Sequence, residues 1–317
     1  MDRTGAVTGK IQGAGSMPPA KAAPAWTGKS RGGYTGNWIF IMVLRFLGLG
    51  PAYLLLVPVS FYFLLFAPRS LKASMQYLRR QFKRGPLLCL LYAYRHFYSF
   101  GQMLVDRFAV AAHPERFEVE EKGLSHILDT AKENKGLVLL GAHVGGWEIA
   151  MSYLSKREVP VNVVVFAGEE ENIRRLMEKF ARKDKVRFLN VSGSPEDSLV
   201  AVAALRRGEV VAMHGDRTLG GRTITIPFLG APAIFPLWPY AVAAAAKAPL
   251  IHTFAAREGK YRYRFKAWPA TNPRLERNAG QSEPLRKCAE EFVSHLEQFL
   301  AGCPFQWFNF YPFWNQE

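Results

Sequence analysis

Gly136-Leu-Val-Leu-Leu-Gly-Ala-His143-Val-Gly-Gly-Trp-Glu148 is the stretch from which the rest of this chain is best read. An apolar run ends in a histidine, two glycines follow, and an acid stands five residues after the histidine. The run predicts a buried strand, and the amphipathic stretch beyond the glycines predicts a helix. His143 then lies at the C-terminal end of a strand, where open α/β sheets place their chemistry. On one continuous helix, residues five apart would point in different directions, because the helix repeats every ~3.6 residues. Gly145 and Gly146 can take backbone conformations closed to other residues, so the chain can turn there and bring Glu148 back to His143. An imidazole held by a carboxylate keeps one tautomer and accepts a proton at its other nitrogen, as a general base must. The His–Glu spacing alone is a weak signal, since acids are common. The strand before it and the helix after it give it weight.

Outward from this segment, strands and helices alternate. Strands are predicted near 136–142, 160–166, 186–191, 209–214, 223–228, 249–256 and 261–267. Helices are predicted near 147–156, 170–182, 196–207, 236–247 and 283–300. Thr223 to Phe228 and Tyr261 to Lys266 alternate polar and apolar residues, as half-buried strands do. The alternation predicts an α/β fold with a mixed sheet flanked by helices. Residues 70–110 read as helical. Residues 302–317 are mostly aromatic, Pro or Asn, and are expected to fold over an apolar groove without regular structure.

The N-terminal part is different. Residues 1–35 are rich in Gly, Ala, Pro and Lys and are expected to be a disordered tail. Residues 36–68 hold the most apolar stretch of the chain, with no charge between Pro51 and Pro68. A bilayer core needs about 20 helical residues. The segment therefore reads as a transmembrane helix, or as an inserted hairpin broken near Gly48-Leu-Gly50-Pro51, with a buried core helix as the plainer alternative. The basic residues Arg69, Lys72, Arg79, Arg80, Lys83 and Arg84 follow it and put the body, residues 69–317, on the cytoplasmic side. A re-entrant segment would leave both ends there.

The 317 residues carry a formal charge of +15. That excess suits nucleic acid, anionic headgroups or an acidic protein. No zinc-ligand spacing, helix-turn-helix or RNA-binding signature accompanies it, so nucleic acid is not expected as a partner. Cys89, Cys288 and Cys303 are far apart and show no metal or redox spacing. No metal or cofactor is expected.

Three further stretches carry a resemblance: Glu209-Val-Val-Ala-Met-His-Gly-Asp216-Arg-Thr-Leu-Gly220-Gly-Arg222, Ile226-Pro-Phe-Leu-Gly230-Ala-Pro-Ala233 and Pro304-Phe-Gln306-Trp307-Phe-Asn-Phe-Tyr-Pro-Phe-Trp314. With His143 to Glu148 they resemble the lysophospholipid acyltransferase superfamily, and within it the lipid A biosynthesis acyltransferases of bacterial inner membranes. The matched features are the family's His–four residues–Asp/Glu motif, its strand with an Asp and a glycine loop, its "vPFFGxPA" segment and its closing "PEQWFW" stretch. The resemblance runs from about Gly36 to Trp314. It implies a glycerolipid acyltransferase-like fold at the bacterial inner membrane, facing the cytoplasm. It also implies direct acyl transfer from a thioester carrier, acyl carrier protein or coenzyme A, to a lipid or glycolipid acceptor. His143 would be the base and Glu148 its orienting acid. Two departures fall where the acceptor would be recognised. The Asp is followed by Arg217 in place of a second polar pair. A family Arg is absent from Phe166-Ala-Gly168, with Arg174 or Arg175 as its replacement. The aromatic tail points to a branch acting in aryl-polyene or related lipid pathways.

Backbone amides near Gly145 and Gly146 and the cations Arg217 or Arg175 are candidate oxyanion donors. Asp216 is either an acceptor-binding or Arg-fixing residue or an ordinary turn residue. His214 shares its strand face and reads as a packed histidine. Trp307, Phe308, Phe310, Tyr311 and Phe313 either line an acyl groove, contact the bilayer or latch the sheet edge. No Gly-x-Ser-x-Gly elbow is present, which leaves a hydrolase as the weakest reading. A non-catalytic lipid-binding or scaffold protein is the main alternative to an acyltransferase.

Overall fold

The computed structural model describes residues 34–147, 149, 154, 159–166, 186–191, 195–218, 221–275 and 283–314. The helices are α1 (Tyr34–Leu47), α2 (Leu49–Phe66), α3 (Pro68–Phe82), α4 (Pro86–Ala112), α5 (Leu124–Lys132), α6 (Pro195–Arg206), α7 (Trp238–Ala246) and α8 (Glu283–Gly302). The strands are β1 (Glu118–Lys122), β2 (Leu137–Gly141), β3 (Val161–Phe166), β4 (Val186–Val191), β5 (Val210–His214), β6 (Thr223–Phe228), β7 (Ala231–Pro236), β8 (Leu250–Gly259) and β9 (Arg262–Ala267). Seven of the strands form one sheet in the order β1-β9-β8-β2-β5-β3-β4, and β6 and β7 pair as a separate hairpin. Within the sheet only β8 and β9 run antiparallel. The fold is therefore α/β with a mixed sheet flanked by helices.

β2 and β5 lie in the middle of the sheet and are apolar on both faces. Successive side chains on a strand point to opposite sides. Val138 and Leu140 of β2 and Val211 and Met213 of β5 accordingly join one core with Tyr240, Phe292 and Leu296. Leu137, Leu139, Val210 and Ala212 join the other with Ile127 and Val163. A continuous apolar run is the expected signature of a strand covered on both faces. β1 is the opposite case. Its sequence, Glu-Val-Glu-Glu-Lys, is mostly exposed and pairs only with β9 at the sheet edge. Four charges in five residues leave no apolar period to read, so β1 was not among the expected strands, and neither was the short α5 after it.

The apolar N-terminal segment is broken, as its glycines allow. Gly48 stands at φ 82° between α1 and α2. α2 buries Leu49, Ala52, Tyr53, Leu56 and Ser60, one helical face at 3.6-residue spacing, which packs with α4 in a common cluster. The rest of α2 is apolar too, and Leu54 (72%), Phe61 (55%), Leu65 (57%) and Phe66 (60%) stand exposed. Among the described residues α2 is the one helix long and apolar enough to cross a membrane, with 28% of it buried inside the protein. The expected tail, residues 1–35, lies outside the described residues up to position 33, and α1 begins at Tyr34.

A buried acid ties these helices to the sheet. Asp106 of α4 is fully buried. It accepts from the hydroxyl of Tyr53 on α2 and from that of Tyr263 on β9 at 2.5 Å. Arg257 of β8 stands 3.3 Å away. A buried carboxylate is tolerated only when its lone pairs and its charge are met. Asp106→Ala leaves the Arg257 charge and two hydroxyls without their acceptor. Chemical denaturation in detergent is expected to show a loss of ~3–5 kcal/mol, the scale for breaking a buried pair. A change below ~0.5 kcal/mol, as at an ordinary surface site, would show that the network does not hold the helices.

Candidate active site

Strand register builds this site. β2 and β5 are parallel neighbours, with Leu137 opposite Val210 and Gly141 opposite His214. Carried two residues past both strands, the same offset puts His143 opposite Asp216. The backbone continues the pairing, since Gly215 N–H donates to the Gly141 carbonyl at 2.9 Å. The His143 N–H donates to Asp216 Oδ2 at 3.0 Å. Its ring Nδ1 lies 2.7 Å from Asp216 Oδ1. An ionised carboxylate only accepts, so Nδ1 carries the proton and Nε2 keeps the basic lone pair.

Asp216 is fully buried, while the His143 side chain keeps 23% of its exposure. Two more donors reach Asp216 Oδ2 from the C-terminal segment: Trp307 Nε1 at 3.0 Å and Asn309 Nδ2 at 2.8 Å. Burial alone would raise the Asp216 carboxyl. The facing His143, its hydrogen bond, His214 and Arg217 together hold it well below the usual carboxylate range. His143 is shifted down from the ordinary histidine value, first by burial and then by Arg217, against the opposing pull of Asp216. The His214 ring lies 4.3 Å from that of His143. Burial and the neighbouring His143 keep His214 neutral, well below the ordinary value.

Gly145 supplies the turn after the histidine. It stands at φ 53°, and a Cβ there would lie 2.1 Å from the Ala255 carbonyl of β8. Its N–H is spent, donating to the Gln306 carbonyl at 2.8 Å. That overturns the expectation of a Gly145 amide as oxyanion donor. Gly146 stands at the start of the helix opened by Trp147. Arg217 donates through Nε to Asn309 Oδ1 at 2.7 Å and to the Phe308 carbonyl at 3.0 Å. Glu148, Arg174 and Arg175 lie outside the described residues. The carboxylate on His143 Nδ1 is thus Asp216, where the sequence reading placed Glu148. Spacing along the chain pointed to the near acid, and only strand pairing brings the distant one to the ring.

The aromatic tail divides. Trp307 and Phe313 are buried against Phe228 in the core, as a latch. Phe308 and Phe310 pack on Phe100 of α4. Sequence reasoning missed Trp307 and Asn309 as partners of Asp216, for nothing local marks a side chain that completes a site ninety residues away. Burial raises the thiols of Cys89, Cys288 and Cys303, which is opposite to what a nucleophilic cysteine requires. Among the described residues no three His, Cys, Asp or Glu side chains are grouped to hold a metal ion.

The chain is similar to known proteins over much of its length. Two phosphatidylinositol mannoside acyltransferases of Mycobacterium tuberculosis, from strains CDC 1551 / Oshkosh and ATCC 25618 / H37Rv, are 24% and 23% identical to the chain over 193 residues. The alignment covers 61% of this chain and 58% of each relative, so the chain spans less than two thirds of their length. The crystal structure of the 1-acyl-sn-glycerophosphate acyltransferase PlsC from Thermotoga maritima aligns at a TM-score of 0.37 and 12% identity, covering 78% of this chain and 96% of that one. Residues 93–316 match the family described as bacterial lipid A biosynthesis acyltransferase. That match contains both strands of the site and the C-terminal segment that closes it, and the chain belongs to the bacterial lipid A biosynthesis acyltransferase family.

Proposed function

We propose that this protein transfers a fatty acyl group from an acyl thioester to a hydroxyl, or an amine, of a lipid or glycolipid at the bacterial inner membrane. The observation that carries the reading is the His143–Asp216 pair at the C-terminal ends of two central parallel strands. The acceptor O–H gives its proton to His143 Nε2 as its oxygen attacks the thioester carbonyl carbon. The tetrahedral intermediate collapses, the C–S bond breaks, and the leaving thiolate takes the proton back from the imidazolium. Asp216 stays ionised and stabilises the imidazolium. The products are an acyl ester (or amide) and a free thiol.

The amide of Gly146 and the cation of Arg217 are the proposed oxyanion donors, the former at a helix start where the dipole favours negative charge. Arg174 and Arg175 are assigned to the anionic part of the substrates. Family membership and the names of the relatives support acyl transfer to a membrane lipid. The exposed apolar sides of α1 and α2 support membrane attachment, with the following basic cluster on the cytoplasmic side. The charge of +15 supports an acidic carrier protein as the donor's handle.

His143→Ala is expected to lower acyl transfer by ~100-fold or more while the protein still folds and floats with vesicles. The readout is thiol release from an acyl thioester in vesicles of a bacterial glycolipid extract. Near wild-type turnover by the folded variant would end the reading. Asp216→Asn is expected to cost ~100- to 10,000-fold, and more than Glu148→Gln. The reverse order would return the orienting role to Glu148.

The pH profile has a definite sign. Protonating His143 removes the base, and its shift is downward. Activity should persist as pH falls through the ordinary histidine value of about 6.5 and fade only below it. An acid limb of kcat/KM above that value contradicts the environment assigned to His143.

The donor is tested by offering one acyl chain on carrier protein and on coenzyme A at two salt concentrations. Transfer from the carrier protein should weaken as salt rises, because screening shortens to ~8 Å at physiological ionic strength. Use of the coenzyme A form alone would overturn the carrier assignment but leave the His143 chemistry standing.

A further inference from the structure

The C-terminal segment holds the catalytic pair from both of its ends. Phe308 N–H donates to the carbonyl of His143 at 2.8 Å, and Gly145 N–H donates to the carbonyl of Gln306 at 2.8 Å. Val144 and Trp307 form an antiparallel bridge between these bonds. The backbone that carries the base is therefore paired with residues 306–308. Trp307 within that pairing and Asn309 just beyond it both donate through their side chains to Asp216 Oδ2, the oxygen the imidazole does not use.

The donors are themselves fixed. Arg217 donates to Asn309 Oδ1, so the amide cannot flip without setting two donors against each other, and its Nδ2 must face Asp216. The Trp307 carbonyl lies 2.8 Å from His96 Nε2. A carbonyl only accepts, so Nε2 carries the proton, and His96 Nδ1 accepts from the Ser74 hydroxyl at 2.8 Å. Tyr77 donates to the Pro304 carbonyl at 2.8 Å. α3 and α4 thus clamp the segment from behind.

We propose that Trp307 and Asn309 are positioning residues for acyl transfer. They fix the Asp216 carboxylate so that Oδ1 presents one lone pair to His143 Nδ1, and Asn309 locks Arg217 into the same frame. This inference rests on the reading of His143 as the base. Among the described residues the charged or titratable groups facing His143 are Asp216, His214 and Arg217. Each donor on Oδ2 draws negative charge away from the imidazole. Removing one has two effects. The ring loses its fixed orientation, and the carboxylate has more charge left to stabilise a protonated imidazole. The first lowers turnover, and the second moves the acid limb of the profile to higher pH. A role in packing alone would do neither in the folded fraction.

The test uses the full chain in vesicles of a bacterial glycolipid extract, with thiol release as the readout. Trp307→Phe removes the N–H and keeps a ring among Tyr77, Phe228 and Phe313. Asn309→Ala removes the other donor without disturbing that cluster, and serves if the first variant does not fold. We expect kcat to fall roughly 10- to 100-fold, as for a modest misplacement of a catalytic group. KM should be little changed and the acid limb should move up. Wild-type kcat with an unmoved acid limb in a folded variant overturns the inference, and so does a loss that only tracks the unfolded fraction. His143→Ala is run beside them. If it is inactive while both variants behave as wild type, only this inference falls. If it is active, the base itself is misassigned.

Discussion

A buried negative charge organises this molecule. Asp216 has no exposure to solvent, and its ionised form survives because donors surround it. An isolated buried carboxylate is costly enough that it would protonate instead. Here the backbone N–H and ring of His143, the indole of Trp307 and the amide of Asn309 meet both oxygens. These donors come from the loop after β2 and from the last residues of the chain. The charge can be satisfied only when sheet register and C-terminal docking are both complete. The site is therefore complete only in the closed fold.

The same arrangement suits the proposed role of His143 as a base. Burial and Arg217 oppose its protonation, while Asp216 favours it. The balance falls on the neutral side at rest, and the carboxylate is in place when the proton arrives. His214, 4.3 Å away, can be protonated together with His143 only by placing two cations side by side. Both imidazoles are shifted down, and the tautomer of His143 is set by Asp216.

A second buried acid does similar work where the N-terminal helices meet the sheet. Asp106 gathers Tyr53, Tyr263 and Arg257, and so ties α2 and α4 to β8 and β9. Arg257 reaches the C-terminal segment as well, since its backbone N–H and carbonyl are both bound by the Gln306 side chain at 2.8 Å. The apolar N-terminal helices and the His143–Asp216 pair are thus joined to the same short stretch of chain by polar contacts.

The amino-acid sequence by itself determined the elements whose pattern is local. β2 and β5 read as continuous apolar runs because both of their faces are covered. The alternation of β6 and the helix at α8 were equally plain, while the break at Gly48 was one of the readings its glycines left open. His143 was legible because a strand end followed by two glycines is a local signal. β1 was not, because an edge strand with one neighbour needs no apolar period. The partner of His143 was not legible either. Asp216 read as an acceptor-binding or Arg-fixing residue or as a turn residue, and Glu148 is far closer along the chain. Parallel pairing of β2 with β5 carries Asp216 across 73 positions to the ring. The roles of Trp307 and Asn309 likewise exist only once the last residues fold back onto β2. Strand pairing and burial are long-range, and only the tertiary structure decides which distant donors a buried charge will find.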